Sequence, residues 1–343
     1  MKKITVVVPI YNVEKYVRIC FDSLLKQTFE DFVVMAVNDG SPANEQVIID
    51  EYVNKYPEKF IGIKKPNGGY GSVLQYAIEH METEYFLVCD PDDYLSGDAL
   101  EHLYNLAISK EADLVIGAKS FIYEGSDDQD YDVAYNKRFV TLKNEHVYLK
   151  SEKEVRDLLF VDPSPHSKLY KRNLAKKIVF PTKVGYTDNL LFYISYLNAQ
   201  RLVYTDKCCA YYLVNRVGNT MTDVKPQVID AHVKVFKAIL EQSKQCADIP
   251  ELFYYRMFVG YKFVWEQLRR ITGGIDTLKE KAGILYELVD AMKPYRNQIQ
   301  EGIQEFSDAG RNEKIKDQLL FTGLGKMIYN RNLNKLIQEK EGK

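Results

Sequence analysis

Three carboxylates crowd into Asp90-Pro91-Asp92-Asp93, directly after the apolar run Tyr85 to Cys89. Carboxylates this close repel one another unless a cation or hydrogen-bond donors compensate. A hard divalent ion bridging them to a diphosphate is one solution; an acidic turn in water is the other. The run before them suits a buried parallel strand. Pro91 cannot continue a central strand, so the acids belong at the strand's carboxyl end. In open α/β sheets that end is where ligands bind.

Three further motifs fall at comparable places. Val7-Val-Pro-Ile-Tyr-Asn12 closes a first apolar run, Ile4 to Pro9. Asn38-Asp-Gly-Ser41 closes a second, Asp31 to Val37, and Asn67-Gly-Gly69 sits on a loop before a helical pattern reaching about Met81, which Ser72 could cap. Asn, Asp and Gly also make ordinary turns, so each motif alone is weak. The alternation of strand and helix continues through Asp98 to Ser109 and Asp113 to Gly117. It predicts an α/β fold with a mostly parallel, doubly wound sheet, on which these carboxyl ends share one crevice.

The pattern changes from Ala118. Phe121 to Tyr148 is polar and carries Asp127, Asp128, Asp130 and Asp132, which read as a solvated loop or hairpin. Glu152 to Phe160 looks helical, Leu190 to Leu197 likewise, and Leu202 to Thr205 and Cys208 to Val214 read as two strands. Beyond about Val224 the segments Val228 to Lys244, Pro250 to Ile271, Thr277 to Met292, Asn297 to Phe306 and Glu313 to Glu339 read as helices. This divides the chain into 1–222, with halves 1–117 and 118–222, and a helical region 223–343.

The 343 residues carry 46 basic and 48 acidic side chains, a net charge of −2, so no global field selects nucleic acid. Five scattered cysteines lack zinc spacing and read as reduced thiols of a cytoplasmic protein. The run after Met1 is too short for a secretory leader and reads as the first strand. No stretch has the roughly 20 apolar residues a bilayer span needs. The segment Arg311 to Lys343 is net basic. It fits a docking or homo-oligomerisation helix, with peripheral contact to a membrane as the alternative.

In the order and spacing of the four motifs, the chain resembles the family 2 glycosyltransferases, enzymes of the GT-A fold. The resemblance is strong over Lys3 to Tyr94 and continues more weakly to about Met221. It implies that Pro9 and Tyr11 contact uracil and that Asp39 reads its edge. Asn67 and Gly69 match the donor-side loop. Asp90 matches the acid nearer the ribose, Asp92 the ligand of Mn²⁺ or Mg²⁺, and Asp93 an acid near the acceptor or donor sugar. Ser167-Lys-Leu-Tyr-Lys-Arg172 is similar to the family's Asn-Lys-Leu-Tyr-Lys-Arg, and Tyr186-Thr-Asp-Asn189 to its Glu-Asp element. Asp188 then stands at the catalytic base. Tyr211, Tyr212 and Arg216 match a later aromatic and basic stretch.

There are departures. Asn38 replaces an acid, Thr187 replaces the Glu before the base, and Leu74-Gln75 replaces Arg-Asn. The last removes a diphosphate cation, for which Lys168, Lys171 or Arg172 are the candidate substitutes. The resemblance implies an inverting, metal-dependent transfer from a UDP-sugar to a glycan, teichoic acid or lipid-linked acceptor. A nucleotidyltransferase is the alternative. It would favour a glycine-rich loop with Lys or Arg after the first strand, where Tyr11-Asn12-Val13 stands. A non-catalytic nucleotide-sugar binder is the third reading.

Overall fold

The computed structural model describes residues 2–214 and 224–341. The chain divides into two compact units, Met1–Asn219 and Thr220–Lys343. The boundary expected at 222 lies outside the described residues.

The first unit opens as a strict alternation: β1 (Ile4–Ile10), α1 (Glu14–Leu25), β2 (Phe32–Asn38), α2 (Glu45–Lys55), β3 (Phe60–Lys64), α3 (Tyr70–His80) and β4 (Tyr85–Val88). The apolar runs of β1, β2 and β4 are buried on both faces, as strands covered on two sides must be, while the edge strand β3 leaves Ile61 exposed. There follow β5 (Tyr94–Leu95), α4 (Ala99–Ser109), β6 (Leu114–Tyr123), β7 (Gln129–Asp132), β8 (Val147–Leu149), β9 (Lys168–Lys171), α5 (Asp188–Asn198) and β10 (Arg201–Val214).

The sheet runs β3-β2-β1-β4-β9-β6-β10-β5, with β7 on β6 and β8 on β10. The β3-β2-β1-β4 half is parallel. Strand β9 is inserted antiparallel between β4 and β6, pairing Phe86 with Tyr170 and Ile116 with Lys168. One face of the sheet closes on α1, α2 and α4 through Val6, Phe21, Leu24, Ile49, Leu87 and Leu103. Phe21 anchors this layer, its ring centroid 5.0 Å from those of both Tyr52 and Phe60. Each such buried side chain contributes about 1.5–3 kcal/mol.

Local details depart from the sequence reading. Helix α3 begins at Tyr70 after Gly69, and Ser72 donates its hydroxyl back to the Gly69 carbonyl instead of capping the helix. Residues Lys153–Phe160 form a 3₁₀ helix. The two strands expected after Leu202 are one, β10, because bulges between Thr205 and Ala210 absorb the polar pair Asp206-Lys207. The polar stretch after Ala118 supplies the β6–β7 hairpin and β8.

The second unit is helical: α6 (Gln227–Ser243), α7 (Glu251–Arg270), α8 (Ile275–Met292), α9 (Arg296–Phe306), α10 (Arg311–Leu319) and α11 (Gly325–Glu341). On α7, Phe253, Tyr255, Phe258, Tyr261 and Trp265 are core, while Phe263 is exposed. Trp265 packs edge-on against Tyr329 at 5.2 Å, and the Tyr329 hydroxyl donates to the Ala282 carbonyl at 2.6 Å. The last helix is split. A Cβ at Gly325 would fall 1.9 Å from the Leu320 carbonyl oxygen, so the chain turns between α10 and α11 at a position that needs glycine. Among the described residues no helix is long and apolar enough to cross a membrane.

Candidate active site

The ends of β1 and β2 form one side of the cleft. Pro9 is buried within β1, and Tyr11, the first residue past it, is 49 % exposed. The Asn12 N–H donates to the Ser41 hydroxyl at 2.8 Å, tying the two strand ends together. Asn38 accepts the Ser41 N–H at 2.8 Å and donates to Gln46 at 2.9 Å. An ionised acid there could accept but not donate. Gly40 has φ +68°, and a Cβ on it would press within 2.8 Å of the Asn67 nitrogen. Glycine therefore lets this turn lie against the loop 67–69.

Asp39 is buried and holds that loop. Its Oδ1 accepts from Lys65 at 2.6 Å and the Gly68 N–H at 2.9 Å, and its Oδ2 from the Gly69 N–H at 2.7 Å. A carboxylate has about four acceptor positions, so capacity remains on Oδ2 for a donor such as a base N–H. Asn67 is exposed at the loop's tip.

The acids lie past β4. Asp90 is half-buried and accepts the Tyr70 hydroxyl at 2.8 Å. Burial, then the charges of Asp93 and Asp92, push its carboxyl well above the usual range, and the Tyr70 bond opposes them. Asp93 is fully enclosed, accepting the Leu213 N–H at 2.8 Å on Oδ1 and His166 Nε2 at 2.6 Å on Oδ2. Burial, then Lys119 and Lys168, hold His166 well below its ordinary pKa. Its Nδ1 is buried with no partner among the described residues.

Asp90, Asp93 and His166 each offer an atom within 4.8 Å of the others. Two carboxylates and an imidazole within that span fit a divalent cation such as Mn²⁺ or Mg²⁺. Asp92 lies on the same turn, half-buried and outside this trio. His166 follows the Pro163-Ser-Pro165 segment, and nothing in that local sequence names Asp93 as its partner.

Asp188 opens α5 behind Tyr186, whose φ is +61°. Burial raises its carboxyl to about 6, and the backbone N–H groups of Asp188 and Asn189, with Lys168, pull it back. A carboxylate tuned toward neutrality is suited to accept a proton. Asp90 and Asp188 both act on the phenol of Tyr70, which burial drives well above its ordinary value. Tyr70 is bonded to Asp90 and feels the charge of Asp188. It escaped the sequence reading because a tyrosine after Gly69 signals nothing by itself. Lys65 was equally hidden before Pro66.

The substitutes for the missing diphosphate cation are otherwise engaged. Lys171 faces Glu84 and Asp113, each at 3.7 Å. Arg172 donates to the carbonyls of Ile78 and Glu79 at the end of α3. Lys168 is fully enclosed. Arg216 lies outside the described residues.

Known proteins are similar to this chain in sequence and in fold. The poly(ribitol-phosphate) beta-glucosyltransferase of Bacillus spizizenii is 31 % identical over 82 % of this chain and 43 % of its own length. The poly(ribitol-phosphate) beta-N-acetylglucosaminyltransferase TarS of Staphylococcus aureus is 29 % identical over 65 % of this chain and 37 % of its own. The chain thus spans less than half the length of either relative. The crystal structure of S. aureus TarS 1–349 in complex with UDP-GlcNAc superposes with a TM-score of 0.72. It covers 99 % of this chain and 92 % of that one at 21 % identity, which shows a common GT-A fold. The family model described as "Glycosyl transferase family 2" matches residues 5–179, half the chain. That match takes in every motif from Pro9 to His166 and stops short of Asp188. With the strand-end acids and the loop that Asp39 holds, it shows that the chain belongs to glycosyl transferase family 2.

Proposed function

We propose that the protein transfers a sugar from a UDP-sugar to a hydroxyl of a cell-surface glycan, teichoic acid or similar polymer, with inversion at the anomeric carbon. The observation that carries this reading is the approach of two differently built carboxyl sites. Asp90, Asp93 and His166 form a cation-compatible cluster, and Asp188, with its carboxyl raised to about 6, is near enough for its charge to act on Asp90 and Tyr70. The relatives that act on poly(ribitol-phosphate) and the neighbour bound to UDP-GlcNAc support the donor and acceptor class.

In this reading Pro9, Tyr11 and the free acceptor capacity of Asp39 receive the uracil. The 67–69 loop, shaped by Asp39 and Lys65, lies along the diphosphate. Asp90 orients the ribose, and Asp93 acts through the His166 ring it holds. Asp92, with the Asp90 and His166 side of the cluster, would hold Mn²⁺ or Mg²⁺, which when bound neutralises charge on the departing UDP. The acceptor hydroxyl gives its proton to Asp188 while its oxygen bonds to the anomeric carbon. The bond from that carbon to UDP breaks on the opposite face, and UDP takes the electron pair. A positioned base contributes about 10²–10⁴-fold.

The test is nucleoside diphosphate release from UDP-glucose, UDP-GlcNAc, UDP-galactose and GDP-mannose, each with Mn²⁺ or with EDTA. UDP release from at least one UDP-sugar, suppressed by EDTA, is expected. Release from GDP-mannose alone, or from none, contradicts the proposal.

A further inference from the structure

Lys168 opens β9 and is 0 % exposed. Side chains alternate across a strand. Leu169 joins the core beneath α1 and α4, while Lys168 and Tyr170 point to the other face, where Tyr170 stacks on Phe86 at 5.3 Å. The Lys168 ammonium donates to the Ser164 carbonyl at 2.7 Å and the His166 carbonyl at 3.3 Å. It also stands 5.5 Å from the centroid of the Phe192 ring. Phe192 lies one helical turn after Asp188 on α5, and residues i and i+4 share a helix face. The ammonium therefore sits between the turn that bears His166 and the helix face that bears Asp188.

Burying an ammonium against neutral carbonyls is costly, and lysines normally extend their heads to water. Complete enclosure denies Lys168 that escape. It also keeps Lys168 from touching a diphosphate in the cleft, so its charge acts on protein groups. Among them is Asp188, whose ionised form it favours.

We propose that Lys168 is a positioning residue for glycosyl transfer. Its side-chain nitrogen ties the Ser164–His166 turn to the α5 face carrying Asp188 and, in its protonated form, presents a positive charge to that carboxylate. The inference rests on Asp188 being the base, as proposed above.

Lys168→Met removes the charge and the donors; Lys168→Gln removes the charge and keeps an N–H donor. Both are compared with wild type for UDP release from a saturating UDP-sugar with Mn²⁺, with kcat and KM resolved, and for UDP affinity by calorimetry. Each is also built into Asp188→Asn. In both single variants kcat should fall at least about tenfold, with UDP affinity within about twofold of wild type. In the Asp188→Asn background neither should cost more than about twofold further, because the group Lys168 acts on is gone. A loss confined to KM, wild-type kcat in either variant, equal losses in both backgrounds, or a lowered melt in both variants would overturn the inference. Wild type that releases no UDP from any UDP-sugar removes the transferase reading itself, before any variant is considered.

Discussion

The backbone N–H of Lys183 donates to the carbonyl of Gly68 at 2.5 Å. The chain leading into Asp188 thus leans on the loop that Asp39 holds. A Cβ at Gly69 would fall 2.9 Å from the Lys183 Cα, and one at Gly71 2.8 Å from the Pro181 carbonyl oxygen. Donor loop and base segment are packed as one piece, so a disturbance in either reaches the other.

Gly69 has φ +82° as well as that close contact. Gly69→Ala should cost about 1–3 kcal/mol of stability, the usual range for strained backbone. It should also lower both UDP affinity and turnover, since it pushes on both sides of the cleft. Gly185 has nothing within 4 Å of its notional Cβ. Gly185→Ala should melt close to wild type and serves as the control. Equal melts for the two variants would contradict the packing argument.

Asp39 bonds Lys65, Gly68 and Gly69 at once. Asp39→Asn leaves the Lys65 charge uncompensated and puts an amide donor where N–H groups point. UDP affinity should drop at least about tenfold, or about 1.4 kcal/mol, with no acceptor present. Calorimetry showing unchanged UDP affinity would separate Asp39 from the nucleotide.

The raised carboxyl of Asp188 sets a pH dependence. A base must be ionised, so turnover at saturating donor should be level at neutral pH and fall about tenfold per pH unit below about 6. Stability runs the other way. A carboxyl raised from 3.8 to about 6 favours the fold below its unfolded value and loses that contribution as pH rises through about 6. Asp188→Asn should therefore melt no lower than wild type at pH 8. A rate flat down to pH 5, or a collapsed melt, would contradict the assignment.

Cation binding has its own readout. Asp92→Asn and His166→Ala should each weaken Mn²⁺-supported UDP binding at least about tenfold while UDP binding in EDTA changes little, since a lost ligand is felt only with the metal. Unchanged Mn²⁺-supported affinity in Asp92→Asn would take the ion away from Asp92 and leave it to Asp90, Asp93 and His166.

The parallel half of the sheet was legible because β1, β2 and β4 are unbroken apolar runs that stop at Asn, Asp or Pro, and the motifs sit where the runs stop. Strand β9 was not. Lys168-Leu-Tyr-Lys171 is four residues long with a lysine at each end and reads as surface, yet Lys168 is enclosed and β9 lies between β4 and β6. Local pattern cannot announce a buried charge whose compensation comes from Ser164 and α5. For the same reason the grip of Asp39 on Lys65 was not legible. That bond depends on the Gly40 turn closing over Asn67, a contact across sequence. The long last helix was misread as continuous because glycines are rare but tolerated within helical patterns, and only Gly325 against Leu320 forces the break.

The most direct measurement is the kcat of folded Asp188→Asn against wild type, by UDP release from a saturating UDP-sugar with Mn²⁺. A fall of about 10²–10⁴-fold, with UDP affinity within about twofold of wild type, is the expected result. Wild-type turnover from the folded variant would reduce Asp188 to the first residue of a helix and contradict its role as the base.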